Sequence, residues 1–150
     1  MRVLAIDYGT KSIGLAICDE LQLTTRPLGT IRRHPGRKID LPSEIQRYVL
    51  EYEIGELAVG LPLNMDGTRG ESARRVEQFI EALQMILTIP IHTVDERLTS
   101  SEADERLRNA GKNDRERRKM SDEYAAVIIL EDFLATRNRH ETNHFSDQVE

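Results

Sequence analysis

The sequence predicts an α/β fold: one mixed five-stranded sheet, with three antiparallel strands first and parallel strands after them, flanked by helices. Three observations carry this. Residues 2–18 form two apolar runs too close together for anything but a hairpin, and a third strand-like stretch follows before any helix. Beyond residue 40, strand-like and helical stretches alternate, which implies right-handed crossovers and parallel pairing. Val3–Ile6 and Leu57–Leu61 are apolar without alternation, as in strands covered on both faces.

In order, Val3–Ile6 is the first strand and ends at Asp7, with the turn Tyr8-Gly9-Thr10-Lys11 behind it. Ile13–Cys18 is the second strand, and Leu21–Ile31, interrupted near Pro27, the third. Arg32–Lys38 is a basic loop. Pro42-Ser43 opens a helix whose inner face is Ile45, Val49 and Leu50. Leu57–Leu61 is stopped by Pro62, and Asp66-Gly67 marks a turn. Thr68 and Glu71 have capping-box spacing ahead of a helix carrying Val76, Phe79, Ile80, Leu83 and Leu87. Ile91–Val94 alternates as an outer strand does. Thr99 and Glu102 form a second capping box, with Gly111 as the C-cap. Lys112–Lys119 is a basic run, and Ser121-Asp122-Glu123 caps a last helix that is apolar all round at Ala125–Leu130. Residues 1–137 make one domain, and the polar residues 138–150 read as a disordered tail.

Composition narrows the function classes. Net charge is −5, so any contact with nucleic acid must come from local basic clusters rather than a global field. Aromatic residues are only 5% and Trp is absent, which argues against a protein that holds single strands mainly by stacking. The lone Cys18 excludes an internal disulfide and reads as a small buried apolar residue. The four histidines are scattered, without zinc spacing. No stretch has the length of a membrane span or the form of a signal peptide, and the expected location is cytoplasmic.

Sites in open α/β sheets gather at the carboxyl ends of the parallel strands. Asp7, Asn64, and Asp95 with Glu96 all fall at such ends, and Asp122 is expected in the first turn of the last helix, where the dipole favours its ionised form. Carboxylates gathered like this repel by roughly 4 kcal/mol per pair at about 4 Å and an effective dielectric near 20. Protons or cations must relieve that, and hard oxygen donors suit Mg²⁺ or Mn²⁺. A pair of such ions serves phosphodiester hydrolysis. Lys11, Arg97, Lys112, Arg115, Arg117, Arg118 and Lys119 are the candidates for phosphate contact; the bland alternatives are a turn lysine, a surface ion pair at Arg97 and a solvated charge run.

Four motifs stand in order: Asp7-Tyr8-Gly9-Thr10-Lys11-Ser12-Ile13-Gly14, Gly60-Leu61-Pro62-Leu63-Asn64-Met65-Asp66-Gly67-Thr68, Asp95-Glu96-Arg97-Leu98-Thr99, and Asp122 leading into Ala125–Leu130. Together they resemble the YqgF/RuvX family over residues 1–137. The resemblance implies a ribonuclease H-like fold and a metal-dependent nuclease that matures the 5′ end of precursor small-subunit ribosomal RNA, with Holliday junction resolution as the alternative. It carries over Asp7, Glu96 and Asp122 as catalytic and metal-binding acids, with Asp95 as the alternative to Glu96. The pair Glu123-Tyr124 stands where the family commonly has small residues.

Two readings from other classes remain: a non-catalytic RNA- or ribosome-binding factor, and a kinase-like phosphotransferase suggested by the Asp-x-Gly-Thr turn. The latter needs two lobes, and 150 residues supply one. Monomer and homodimer are both open.

Overall fold

The computed structural model describes the backbone of residues 1–97 and 105–148, with side chains for all of these except residues 114, 117–122 and 139–148. Its elements are β1 (Arg2–Tyr8), β2 (Ser12–Cys18), β3 (Thr25–Arg32), α1 (Leu41–Glu51), β4 (Ile54–Leu61), α2 (Glu71–Gln84), β5 (Ile91–Asp95) and α3 (Asp114–Gln148). The five strands lie in the order β3-β2-β1-β4-β5. β1, β2 and β3 are antiparallel neighbours, whereas β4 pairs parallel with both β1 and β5. This is the mixed sheet the sequence predicts.

Strand alternation divides the interior into two cores. Leu4, Ile6, Leu57 and Val59 point to one face and pack with Ile45 and Val49 of α1 and Val76 and Leu83 of α2. Val3, Ala5, Ala58 and Val94 point to the other and pack with Ala126, Ile129 and Leu130 of α3. Every residue of β1 from Val3 to Ile6 is therefore fully buried, which is why that run carries no alternation. Small residues on the α3 face (Ala5, Ala16, Ala58 and Ala126) let the helix lie close to the sheet.

Three local expectations need correction. Leu50 does not join the inner face of α1; it is 73% exposed, and Leu41, Ile45 and Val49 are the buried residues. The third strand begins only at Thr25, because Asp19 accepts bonds from the amides of Leu23 and Thr24, both at 2.7 Å, and winds residues 19–24 into a turn. The break expected near Pro27 is real: the β2–β3 register shifts there, between Leu15 and Ala16. Thr68 does not cap α2. Its amide and hydroxyl are both taken by Asp66, at 2.9 and 2.6 Å, and the N-cap is Gly70 with no side-chain bond.

The last helix departs furthest. It starts at Asp114, not near Ser121, so residues 114–119 of the basic run belong to its first turns rather than preceding it. Asn113 makes the cap: its Oδ1 accepts from the Glu116 amide at 2.9 Å while its Nδ2 donates to Glu116 Oε1 at 3.1 Å. Asp122 accordingly lies more than two turns inside the helix, beyond the reach of the terminal dipole. The helix also continues through 138–148, since no Gly or Pro interrupts the sequence there. Gly111 does close the preceding helical stretch at 105–109, with φ 78° and the bonds Gly111 N to Arg108 O and Lys112 N to Leu107 O. The Thr99–Glu102 capping box lies outside the described residues.

Candidate active site

Because β1, β4 and β5 are parallel, their carboxyl ends share one rim. Alternation then selects the acids. Val3, Ala5 and Asp7 follow one another on the α3 face of β1; Ala58 and Gly60 do so on β4, and Val94 and Glu96 at the end of β5. β4 lies between β1 and β5, so Glu96 reaches Asp7 by crossing over Gly60. A Cβ at residue 60 would stand 2.5 Å from Glu96 Oε2 and 2.6 Å from Ile129 Cδ1 of α3. The glycine thus makes room for the carboxyl group, and Ile129 roofs it. Gly60 is the site residue sequence reasoning did not single out; its signal was a lone glycine in an otherwise apolar strand.

The Glu96 amide bonds to Leu61 O at 3.2 Å, which fixes its backbone just beyond the paired part of β5. Burial pushes the Glu96 carboxyl up to about 9, reinforced by the charge of Asp7, by a side-chain hydrogen bond with Asp7 and by the charge of Asp95. At neutral pH the facing acids therefore share a proton.

Asp95 points elsewhere. It holds Arg97 through Nε at 2.8 Å and Nη2 at 2.7 Å and accepts from the Arg97 amide at 3.1 Å, and these bonds keep its carboxyl below the usual carboxylate range. Arg97 Nη1 donates to Met65 O at 3.2 Å, so the pair ties the loop after β4 to the end of β5. Asn64 builds that loop: its amide bonds to Thr68 O, its carbonyl accepts from Gly67, and its Nδ2 donates to the Thr68 hydroxyl. Gly9 is demanded by the β1–β2 turn itself, where a Cβ would meet Ser12 O at 2.5 Å.

The side chain of Asp122 is outside the described residues. The register row Asp7–Gly14–Thr30 crosses β1, β2 and β3, and the Thr30 hydroxyl bonds to Glu123 Oε1 of α3 at 3.2 Å. In α3, residue 122 comes one turn before Ala126 and two before Ile129 along the chain. Among the described residues, no three acids, histidines or cysteines form a metal-sized group. Lys11 and Arg115 are exposed, Lys112 is half-buried, and the side chains of Arg117, Arg118 and Lys119 are not among those described.

A family model described as "RuvX: Holliday junction resolvase" matches residues 1–136. The chain belongs to the RuvX family. A relative from Anaeromyxobacter sp. (strain Fw109-5) is 44% identical over 138 residues, covering 92% of this chain and 99% of its own. Another, from Lachnospira eligens, is 38% identical over 140 residues, covering 93% and 100%. Both carry the name "Putative pre-16S rRNA nuclease". Thermus thermophilus RuvC bound to a Holliday junction superposes with TM-score 0.57 at 16% identity, over 91% of this chain and 96% of that one. Fowlpox virus resolvase with its junction DNA gives 0.55 at 10%, over 91% and 98%. At such identities the likeness is of fold, the RuvC and ribonuclease H-like arrangement that the motifs implied. No described helix is long and apolar enough to cross a membrane.

Proposed function

We propose that this RuvX protein is a divalent-metal-dependent nuclease that hydrolyses phosphodiester bonds in the 5′ leader of precursor small-subunit ribosomal RNA. The observation that carries the reading is the carboxyl pair of Asp7 and Glu96, held face to face at the carboxyl rim of the parallel strands. The names of the full-length relatives supply the RNA substrate. The cytoplasm is the compartment this reading requires.

The donor set fits Mg²⁺ or Mn²⁺: the facing groups are hard oxygen ligands, and burying them together leaves a proton doing what a cation would do. Asp7 and Glu96 would hold the metal, with Asp122 as the third acid from α3. Bound there, one or two ions would supply an activated water and charge stabilisation at the leaving oxygen. The chain's own residues do the rest. Gly60 and Ile129 fix the Glu96 carboxyl and keep bulk water off its inner side. Lys11, Lys112, Arg115, Arg117, Arg118 and Lys119 draw the phosphate backbone toward the acids, and Arg97, engaged with Asp95, holds the loop that borders them.

A second reading, Holliday junction resolution, is favoured by the family description and by junction-bound neighbours of the same fold. One experiment tests both. Purified protein is given a 5′-extended small-subunit RNA fragment and a four-way DNA junction side by side, with Mg²⁺, Mn²⁺ or chelator. Metal-dependent cutting of the RNA, lost in Asp7→Asn, is the expected result. Symmetric nicking of the junction alone would select the resolvase, and tight RNA binding without turnover in any metal would select a non-catalytic factor.

A further inference from the structure

The large apolar side chains left exposed are Met1, Leu21, Leu23, Leu50, Met65, Met85 and Ile86 among the described residues. Six of them sit at the end of the sheet away from the acids. Met1, Leu21 and Leu23 surround the start of β1, where the terminal ammonium bonds to Glu20 O and Gln22 Nε2 bonds to Met1 O. Leu50 is in the last turn of α1, leading into β4, and Met85 and Ile86 follow α2, leading toward β5. Met65 alone stands at the rim that carries Asp7 and Glu96, and it is 70% exposed.

Its backbone is fixed there. Residues 64–68 form a turn closed by Asn64 N to Thr68 O at 2.9 Å and Gly67 N to Asn64 O at 2.8 Å, with Gly67 at φ 86°. The Met65 carbonyl accepts from Arg97 Nη1, and Arg97 follows Glu96 directly in the chain and is clamped by Asp95. A rigid turn, tethered one residue from the buried acid, thus holds an apolar side chain out in water beside the reaction rim. Nothing in the turn's own hydrogen bonding needs a side chain at residue 65.

We propose that Met65 is a positioning residue: its side chain packs on a nucleobase adjacent to the phosphodiester held at Asp7 and Glu96. The inference rests on the nuclease reading and adds a base contact to it. A thioether on a flexible, polarizable chain suits this task, because it adapts to any base face.

The test uses the full chain. Cleavage of a single-stranded RNA is mapped with the wild type, and 2-aminopurine is then placed on either side of the cut. In the Glu96→Gln background, the base next to the cut should lose its fluorescence quench when Met65→Ala is added. In the otherwise wild-type chain, Met65→Ala should raise KM about fivefold or more, the lower end of what a base contact loses on truncation. Its kcat should stay within about twofold, Met65→Leu should restore KM, and melting temperature should not move. A wild type that cuts while Met65→Ala shows the same KM and the same quench overturns the base contact alone, as does a loss confined to kcat. A wild type that neither binds nor cuts RNA or junction removes the nuclease reading and this inference with it.

Discussion

The Glu96 carboxyl group occupies the volume that a side chain at Gly60 would fill: an added Cβ would lie 2.5 Å from Oε2 and 2.9 Å from the carboxyl carbon. Gly60→Ala should therefore displace Glu96 rather than Ile129 Cδ1, since the helix is anchored by a core on both sides of residue 129. A shift of the acid by about 1 Å should lower kcat roughly 100-fold, while overpacking should cost about 1–3 kcal/mol of stability. Cleavage rates and urea denaturation of the same preparation check this; a Gly60→Ala protein of normal activity would show that Glu96 is not needed where it sits.

The adjacent acids of the Asp-Glu-Arg motif should separate cleanly. Glu96→Gln removes a carboxyl facing Asp7 and is expected to reduce metal-dependent cleavage by about a thousandfold or more, in line with loss of a two-metal ligand. Asp95→Asn frees Arg97 and loosens the loop at Met65, so its effect should be a rise of a few-fold in KM with kcat largely kept. Initial-rate measurements in Mn²⁺ on both variants decide the matter, and equal losses in kcat would contradict the division of roles.

Much of this arrangement was legible in residue patterning. The continuous apolar runs located the central strands, and polar residues at their ends located the rim. Even the choice of Glu96 was available: Val94 is an inward residue, and period-two alternation returns to the same face at 96. What stayed hidden depended on competition between local partners. Thr68 had the spacing of a cap, but Asp66 is two residues away and captures it first. The five basic residues between 112 and 119 read as a run ahead of the last helix, yet Asn113 and Glu116 cap a helix that starts within them. The role of Gly60 depends on a contact between neighbouring strands, which one strand's sequence does not contain.

The shared proton gives the metal-free protein a defined pH dependence. Glu96 rises from an ordinary 4.5 to about 9 in the folded chain, so between these values the folded state keeps a proton that the unfolded state has released. The associated stability is fully present below about 4.5 and is lost as pH rises through about 9. In chelator, the wild type should lose melting temperature across this window more steeply than Glu96→Gln, which lacks the group. Mg²⁺ must displace the proton, so its stabilising effect on the wild type should grow from pH 6 to pH 8. Differential scanning at several pH values tests both signs; a magnesium effect that shrinks with rising pH would refute the shared-proton account.

Glu56 offers a test of what holds α3 in register. Its side chain is buried, and it is bonded by Arg137 of α3, whose guanidinium also lies 4.6 Å from the Phe133 ring, and by His92 Nε2 at 3.1 Å. Arg137→Ala leaves that carboxylate buried with His92 as its remaining partner and should cost about 3 kcal/mol. Replacing both partners, Glu56→Leu with Arg137→Met, removes the stranded charge and keeps apolar volume, so most of the loss should be recovered. Glu56 is four residues before Gly60 on the same face of β4, roughly 13 Å away at the rise of a strand. Cleavage well below the melting temperature should therefore be unaffected in either variant. Urea midpoints and kcat measured together check this, and a double variant as unstable as Arg137→Ala would mean that the pair is needed for packing rather than for charge balance.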